Sequence, residues 1–282
     1  VCQQAAEGGR GVTREQAEGI LSEAGEADDE SFPLLEAAIA CALHDFPFRD
    51  AGPVRVLAAR AGARLAERIQ TESCDDALAE TMGADFGLNG DLLDSGDYTN
   101  TDIVAVASRR RGLSAALSIF YLEAARRAGV KAEGVDFPNH FLLRVETTGG
   151  PVALDPFSQD RIVLPSELSR RALLAGLTPH VAHRLDLLMA PITHRQALIR
   201  LQNILFTRSV RTGDYQTAER SALRHALLDP LDHRPWLDLA CVRERQGRLA
   251  GAIEALTNAR RVRGDQSDCP GPAIARLHRK LN

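Results

Sequence analysis

The sequence predicts an α+β domain followed by an all-α segment built on a helical repeat. Three observations carry that expectation. Ala, Leu and Arg dominate, whereas Tyr occurs three times and Trp once, a bias toward helix. After Gly129 the apolar pattern changes from helical to alternating, in short segments separated by turn residues. Further on, GDYQTA at Gly213 returns as GRLAGA at Gly247, a shift of 34 residues.

Residues 1–30 are polar and read as a flexible tail leading to a short helix, with Thr13 capping Arg14 to Ser22. The run SFPLLEAAIACALHDF is apolar at helical spacing through Leu35, Ile39 and Leu43. A second helix follows through VRVLAARAGARLAERIQ, with Val56, Leu57, Ala63, Leu65 and Ile69 as its expected apolar face. GADFGLNGDLLDSGDYTNTD, rich in Gly, Asp and Asn, reads as a long surface loop. Next comes SAALSIFYLEAARRAG, a strong helix with Ser114 as its expected cap and Gly129 as its stop. VKAEGVDF, HFLLRVE and PVALDPF then read as strands, the last two forming a hairpin around Thr147-Thr148-Gly149-Gly150.

PSELSRRALLAGL and VAHRLDLLMA return to helix, and from His194 to about Arg263 the chain is helical throughout. At the 34-residue shift Leu205 meets Leu239, Arg211 meets Arg245, Gly213 meets Gly247 and Ala218 meets Ala252. Trp236, Leu239, Gly247, Ala252 and Ala259 sit where a tetratricopeptide repeat needs them, and Pro230 ends the preceding unit. The expected division is a tail over 1–30, an α+β domain over 31–190, two repeats over 194–264, and a tail or capping helix over 265–282.

Composition narrows the function classes. Hydrophobic residues make up 44% and charged residues 26%, ordinary for a soluble globular protein, and the formal net charge is −4. Neither nucleic acid nor an anionic membrane is indicated as the main partner. No apolar run approaches a membrane helix, and VCQQAAEGGRG shows no signal-peptide core. Cys2, Cys41, Cys74, Cys241 and Cys269 are scattered and odd in number, so reduced thiols in the cytoplasm are expected. Cys41 and Cys241 read as small core residues. His180, His183 and His194 lack a third ligand at metal spacing, and no phosphate-binding glycine loop is present, so neither metal nor cofactor is expected. Arg109, Arg110 and Arg111 could bind a phosphate or an acidic partner, but such a run is more often solvated or paired with local carboxylates such as Asp94, Asp97 and Asp102.

The chemistry-bearing stretch is FPNHFLLRV. His140 opens a strand, and Asp155, in LDPF, ends the strand expected beside it. A carboxylate there can hold an imidazole in one tautomer. The missing member is a nucleophile at a helix N-terminus, and the preceding helix opens Gly112-Leu113-Ser114.

Taken in order, RRRG, the helix from Ser114 to Gly129, GVDFPNHFLLRV and ALDPF resemble the transglutaminase-like core domain, of papain type. With LLEAAIACALHDFP, FGLNGD and DYTN before them and the repeats behind, they resemble its bacterial SirB-type branch over roughly residues 31–262. The resemblance implies that His140 and Asp155 match the family's catalytic histidine and aspartate, and that Ser114 stands at the cysteine nucleophile's position. In that branch the cysteine is commonly missing. Here Ala115-Ala116 also replaces a more polar or proline-containing opening. The implied function is a degenerate, non-catalytic module that binds a protein or peptide through its cleft and repeats. The competing expectation is an acyl-transfer hydrolase or amidase using Ser114, His140 and Asp155.

Overall fold

The computed structural model describes residues 11–92, 97–158, 161–264 and 271–281. Asp94, Cys2, Cys269 and the stretch 265–270 lie outside them. The chain begins with helices α1 (Arg14–Glu26), α2 (Leu34–Asp45), α3 (Gly52–Arg68) and α4 (Cys74–Glu80). Two short strands, β1 (Asn89–Gly90) and β2 (Arg111–Gly112), flank α5 (Ile103–Arg109), and α6 (Ser114–Ala128) follows. Then come strands β3 (Ala132–Phe137), β4 (His140–Thr147), β5 (Gly150–Asp155) and β6 (Arg161–Val163). Short helices α7 (Pro165–Leu174), α8 (Pro179–Ala182) and α9 (Leu185–Leu188) precede α10 (His194–Thr212). The chain closes with α11 (Tyr215–Leu228), α12 (Arg234–Arg245), α13 (Leu249–Arg263) and α14 (Gly271–Leu281).

These elements fall into two compact units, and the division differs from the expected boundaries. One unit is Phe32–Ala38 with Ala51–Leu201, and the other joins Val1–Ser31, Ile39–Asp50 and Gln202–Asn282. The second half of α2 and the whole of α1 thus belong with the C-terminal helices.

In the first unit, β3-β4-β5-β6 form an antiparallel sheet in sequence order. The expected hairpin is present: Thr147 pairs with Gly150 and Leu143 with Leu154. Asn139, at φ 60, turns β3 into β4, so that Phe137 faces His140. One sheet face carries Val135, Phe137, Leu142, Ala153 and Val163, packed with Leu168, Ala172 and Ala182 from α7 and α8. Side chains alternate along a strand, so Phe141, Leu143 and Val145 point to the opposite face, where α6 lies on β3 and β4. Helix α6 ends at Gly129, whose φ of 73 suits glycine. Helix α3 packs behind α6, and a Cβ at Gly62 would come within 2.7 Å of the Arg127 Cβ.

Two expectations change here. The buried stripe of α3 is Val54, Leu57, Ala58, Ala61 and Leu65, an i, i+3, i+4 series, whereas Val56 and Ala63 are exposed. The Gly/Asp/Asn-rich segment is a surface loop only in part where described: Ala84, Asp85 and Leu92 are exposed, but Leu88, Asp91, Asn100, Thr101 and Asp102 are buried. Its polar groups are satisfied internally. Asp91 binds Arg109 at 2.8 Å, Asp97 accepts from the Thr99 N–H at 2.9 Å, and Asp102 caps α5. Of the arginine run, Arg109 therefore does meet local carboxylates.

In the second unit, residues from Gly11 onward are more than a tail. Thr13 and Gln16 form a reciprocal capping box, and α1 runs on to Glu26 and packs on α11. The 34-residue shift has a geometric counterpart. Gly213 and Gly247 take φ values of 77 and 75, each accepting from the N–H two residues on, at 2.9 and 3.0 Å. Leu205 and Leu239, and likewise Ala218 and Ala252, are buried at matching places. Helix α14 packs on α13 through Leu277. Cys41 is buried as expected, but Cys241 is exposed, since its side of α12 faces away from Leu239 and Val242.

His44 is buried in this unit, with Nε2 2.9 Å from the Glu18 carboxylate and Nδ1 without a partner. Burial, then the Arg224 charge, holds its pKa below the ordinary value. Burial likewise lowers the His225 pKa. Between the lowered native values and the unfolded value near ~6.5, the unfolded chain binds more protons, so stability falls as pH falls. Thermal midpoints of the full chain should drop from neutral pH to mildly acid pH, and less steeply for His44→Gln. An equally steep fall in that variant would remove His44 as a cause.

Candidate functional site

The residues singled out by sequence converge on one end of the sheet of the first unit. The convergence is built by β1. The Gly90 N–H donates to the Phe157 carbonyl at 3.2 Å, and the Asp91 N–H donates to the Gly112 carbonyl at 3.2 Å. Residues just before α6 are thereby tied to the Asp155-Pro156-Phe157 turn. The approach needs glycine: a Cβ at Gly90 would lie 2.5 Å from the Phe157 ring.

His140 and Asp155 share a sheet face. Register places Leu142 opposite position 155, so Asp155 is a diagonal neighbour of His140 on the side of Leu142 and Ala153. That is the face covered by α7. Asp155 is 2% exposed, and its carboxylate is fully engaged there. It accepts from the Arg171 guanidinium at 2.7 Å, the Ser158 hydroxyl at 2.9 Å and the Phe157 N–H at 3.0 Å. Arg171 is held in turn by Glu167 at 2.9 Å, one helical turn earlier. No hydrogen bond joins Asp155 to the half-buried His140 among the described residues. Burial, then the Arg171 charge, keeps the imidazole pKa below its ordinary value, against the opposing pull of Asp155.

Ser114 is the first residue of α6, not its cap: Leu113 occupies the cap position and supplies no side-chain bond. Proximity to the Asn100 carbonyl, which accepts from the Leu113 N–H at 2.9 Å, fixes the helix start one residue earlier than a serine cap would. The Ser114 carbonyl accepts from the Ser118 hydroxyl at 2.6 Å. Its own hydroxyl makes no hydrogen bond to His140 among the described residues. The alternation of β4 sets His140 on the α7 side, whereas α6 lies on the other face.

Arg171, Glu167 and Ser158 were not singled out by sequence. Glu167 and Arg171 stand four apart on a helix, a visible ion-pair signal, but nothing local ties that pair to Asp155. No group of three or more His, Cys, Asp or Glu residues suited to a metal ion occurs among the described residues. No described helix is long and apolar enough to cross a membrane.

Comparison with known proteins bears on this geometry. The chain is similar to the UPF0162 protein of Xylella fastidiosa strain Temecula1, 28% identical over 235 residues, covering 81% of this chain and 83% of that protein. The counterpart in strain 9a5c is 28% identical over 236 residues. A shorter likeness, 36% over 69 residues, links 24% of the chain to 11% of the mouse F-box only protein 21. No solved structure matches. The family model described as the transglutaminase-like superfamily matches residues 53–203, which hold α3 through β6, Ser114, His140 and Asp155. The chain belongs to the transglutaminase-like superfamily.

Proposed function

We propose that this protein is a degenerate, non-catalytic member of the superfamily that acts by binding a protein or peptide. One observation carries the reading: the Asp155 carboxylate is bound by Arg171, so the group that would orient His140 as a base is already occupied. A hydroxyl at position 114 adds to it. Serine needs a base for each turnover, whereas a fraction of a cysteine is thiolate at neutral pH. A neutral His140 held beside a buried ion pair is suited to hydrogen-bond a partner's polar group. The helical repeats, read as tetratricopeptide-like, supply a second docking surface. The ordered motifs support the SirB-type branch, and with it a regulatory role in the bacterial cytoplasm.

Two measurements test the reading. A fluorophosphonate probe should give the same labelling in the native chain and in Ser114→Ala, and labelling that disappears in the variant would establish a hydrolase. Arg171→Met should raise the His140 pKa, followed by NMR titration, because the opposing cation is gone and Asp155 remains. An unchanged pKa would mean that Arg171 does not control the imidazole.

A further inference from the structure

The sheet face that carries His140 also carries a cavity. It lies toward the Thr147–Gly150 hairpin, where Arg144 stands four residues along β4 from His140, about 13 Å away at ~3.3 Å per residue. Its volume is about 560 Å³, within the range of small-ligand sites. The interior is apolar, formed by Ala153 and Val163 from the sheet and Leu168, Leu185 and Met189 from the helical side.

Two charged groups line it among the described residues, Arg144 and Asp186. They are not equivalent. The Asp186 carboxylate is gripped by Arg184 through two bonds of 2.9 and 2.7 Å, which neutralise it. Arg144 is less fully engaged: one Nη2 contact reaches Glu146 at 2.9 Å, and Nε has no acceptor. A guanidinium has five N–H donors in a fork that matches a carboxylate. The flank is apolar as well. Leu164, in the lining, is 61% exposed, and Leu187, next to Asp186, is 59% exposed. Apolar flank, apolar interior and one cation with donors left over beyond its Glu146 pair describe a site for an amphiphile. A phosphate-rich ligand would need several cations, and a neutral hydrocarbon would leave Arg144 without a role.

We propose that this cavity binds an aliphatic carboxylate, with the chain among Leu168, Leu185 and Met189 and the carboxylate on Arg144. The inference is separate from the proposed role of His140, and neither depends on the other.

The test uses the full chain and three probes of equal chain length: dodecanoate, dodecanol and dodecylammonium. Calorimetric titration should show saturable binding of dodecanoate, with the alcohol at least about tenfold weaker and the ammonium weaker still. Arg144→Gln should weaken dodecanoate about tenfold and leave dodecanol unchanged. Leu185→Trp, which fills the cavity, should abolish binding of both while the circular dichroism spectrum is retained. Should that variant fail to fold, hydrogen exchange on the native chain decides, since dodecanoate should slow exchange in α7 and α9. Non-saturable binding, equal affinity for acid and alcohol, unchanged affinity in Arg144→Gln, or protection confined elsewhere would each overturn the proposal.

Discussion

Asp45→Ala is expected to destabilise the helical unit by about 3–5 kcal/mol, the cost of breaking a buried ion pair from one side. Asp45 accepts from Arg220 at 2.5 Å and from Arg224 at 2.6 Å. Arg224 is 0% exposed and also reaches the Gln202 side chain at 2.7 Å and the Cys41 carbonyl at 3.3 Å. Those acceptors are neutral, so removing Asp45 leaves a desolvated cation without its buried carboxylate. Burial pushes the neighbouring Cys41 thiol up to about 12, so it offers no replacement anion at neutral pH. A typical domain has only ~5–15 kcal/mol in total, so the loss is a large share. Urea unfolding followed by circular dichroism reads it directly. The double change Asp45→Leu with Arg224→Met should recover much of the loss, because it removes the two most buried charges and leaves only Arg220, which is 26% exposed and can be hydrated. A midpoint unchanged in Asp45→Ala would show that the cluster is not sealed from water.

The second large effect comes from two glycines in one helix. Alanine at an exposed helical glycine gains about 1 kcal/mol in helix propensity. Gly19 is exposed with nothing within 4 Å of an added Cβ, so Gly19→Ala should stabilise by about that amount. Gly25 lies in the same helix, but its Cβ would fall 2.0 Å from the Leu227 carbonyl oxygen of α11. A backbone atom cannot swing aside, so α1 must shift. Overpacking costs about 1–3 kcal/mol or more and outweighs the propensity gain. Gly25→Ala should therefore lower the thermal midpoint while Gly19→Ala raises it. The same direction in both would mean that α1 and α11 do not approach as closely as described.

What could be read in the sequence was whatever short-range chemistry decides. Thr13 and Gln16 form a cap because both partners lie within three residues. Gly129 stops α6 because only a residue at ease with positive φ fits there. The β4–β5 hairpin follows from alternation around a glycine-rich turn. For the site, the sequence located His140 and Asp155 on neighbouring strands, and they do share a face. It could not reveal that Asp155 belongs to Arg171, sixteen residues on and in another element. Composition also marks GADFGLNGDLLDSGDYTNTD as a long surface loop. Asp91 and Asn100 are buried there because Arg109 and backbone groups satisfy them, a match made in three dimensions. Gly25 carries no local signal for the same reason, since its neighbour Leu227 is distant in sequence.

The discontinuous make-up of the helical unit has a consequence for biosynthesis. Phe32–Ala38 and Ala51–Leu201 have all been translated before Gln202 is added, so the α+β unit can complete its core on the ribosome. Helix α1 and the second half of α2 must wait for α11. At ~5–20 residues per second, the remaining residues from Gln202 to Asn282 take roughly 4–16 s to synthesise. During that interval Leu21, Ala24 and the buried side chains of the second half of α2 face solvent or a chaperone. The nascent chain is then open to aggregation at helices made early, not only at those made last.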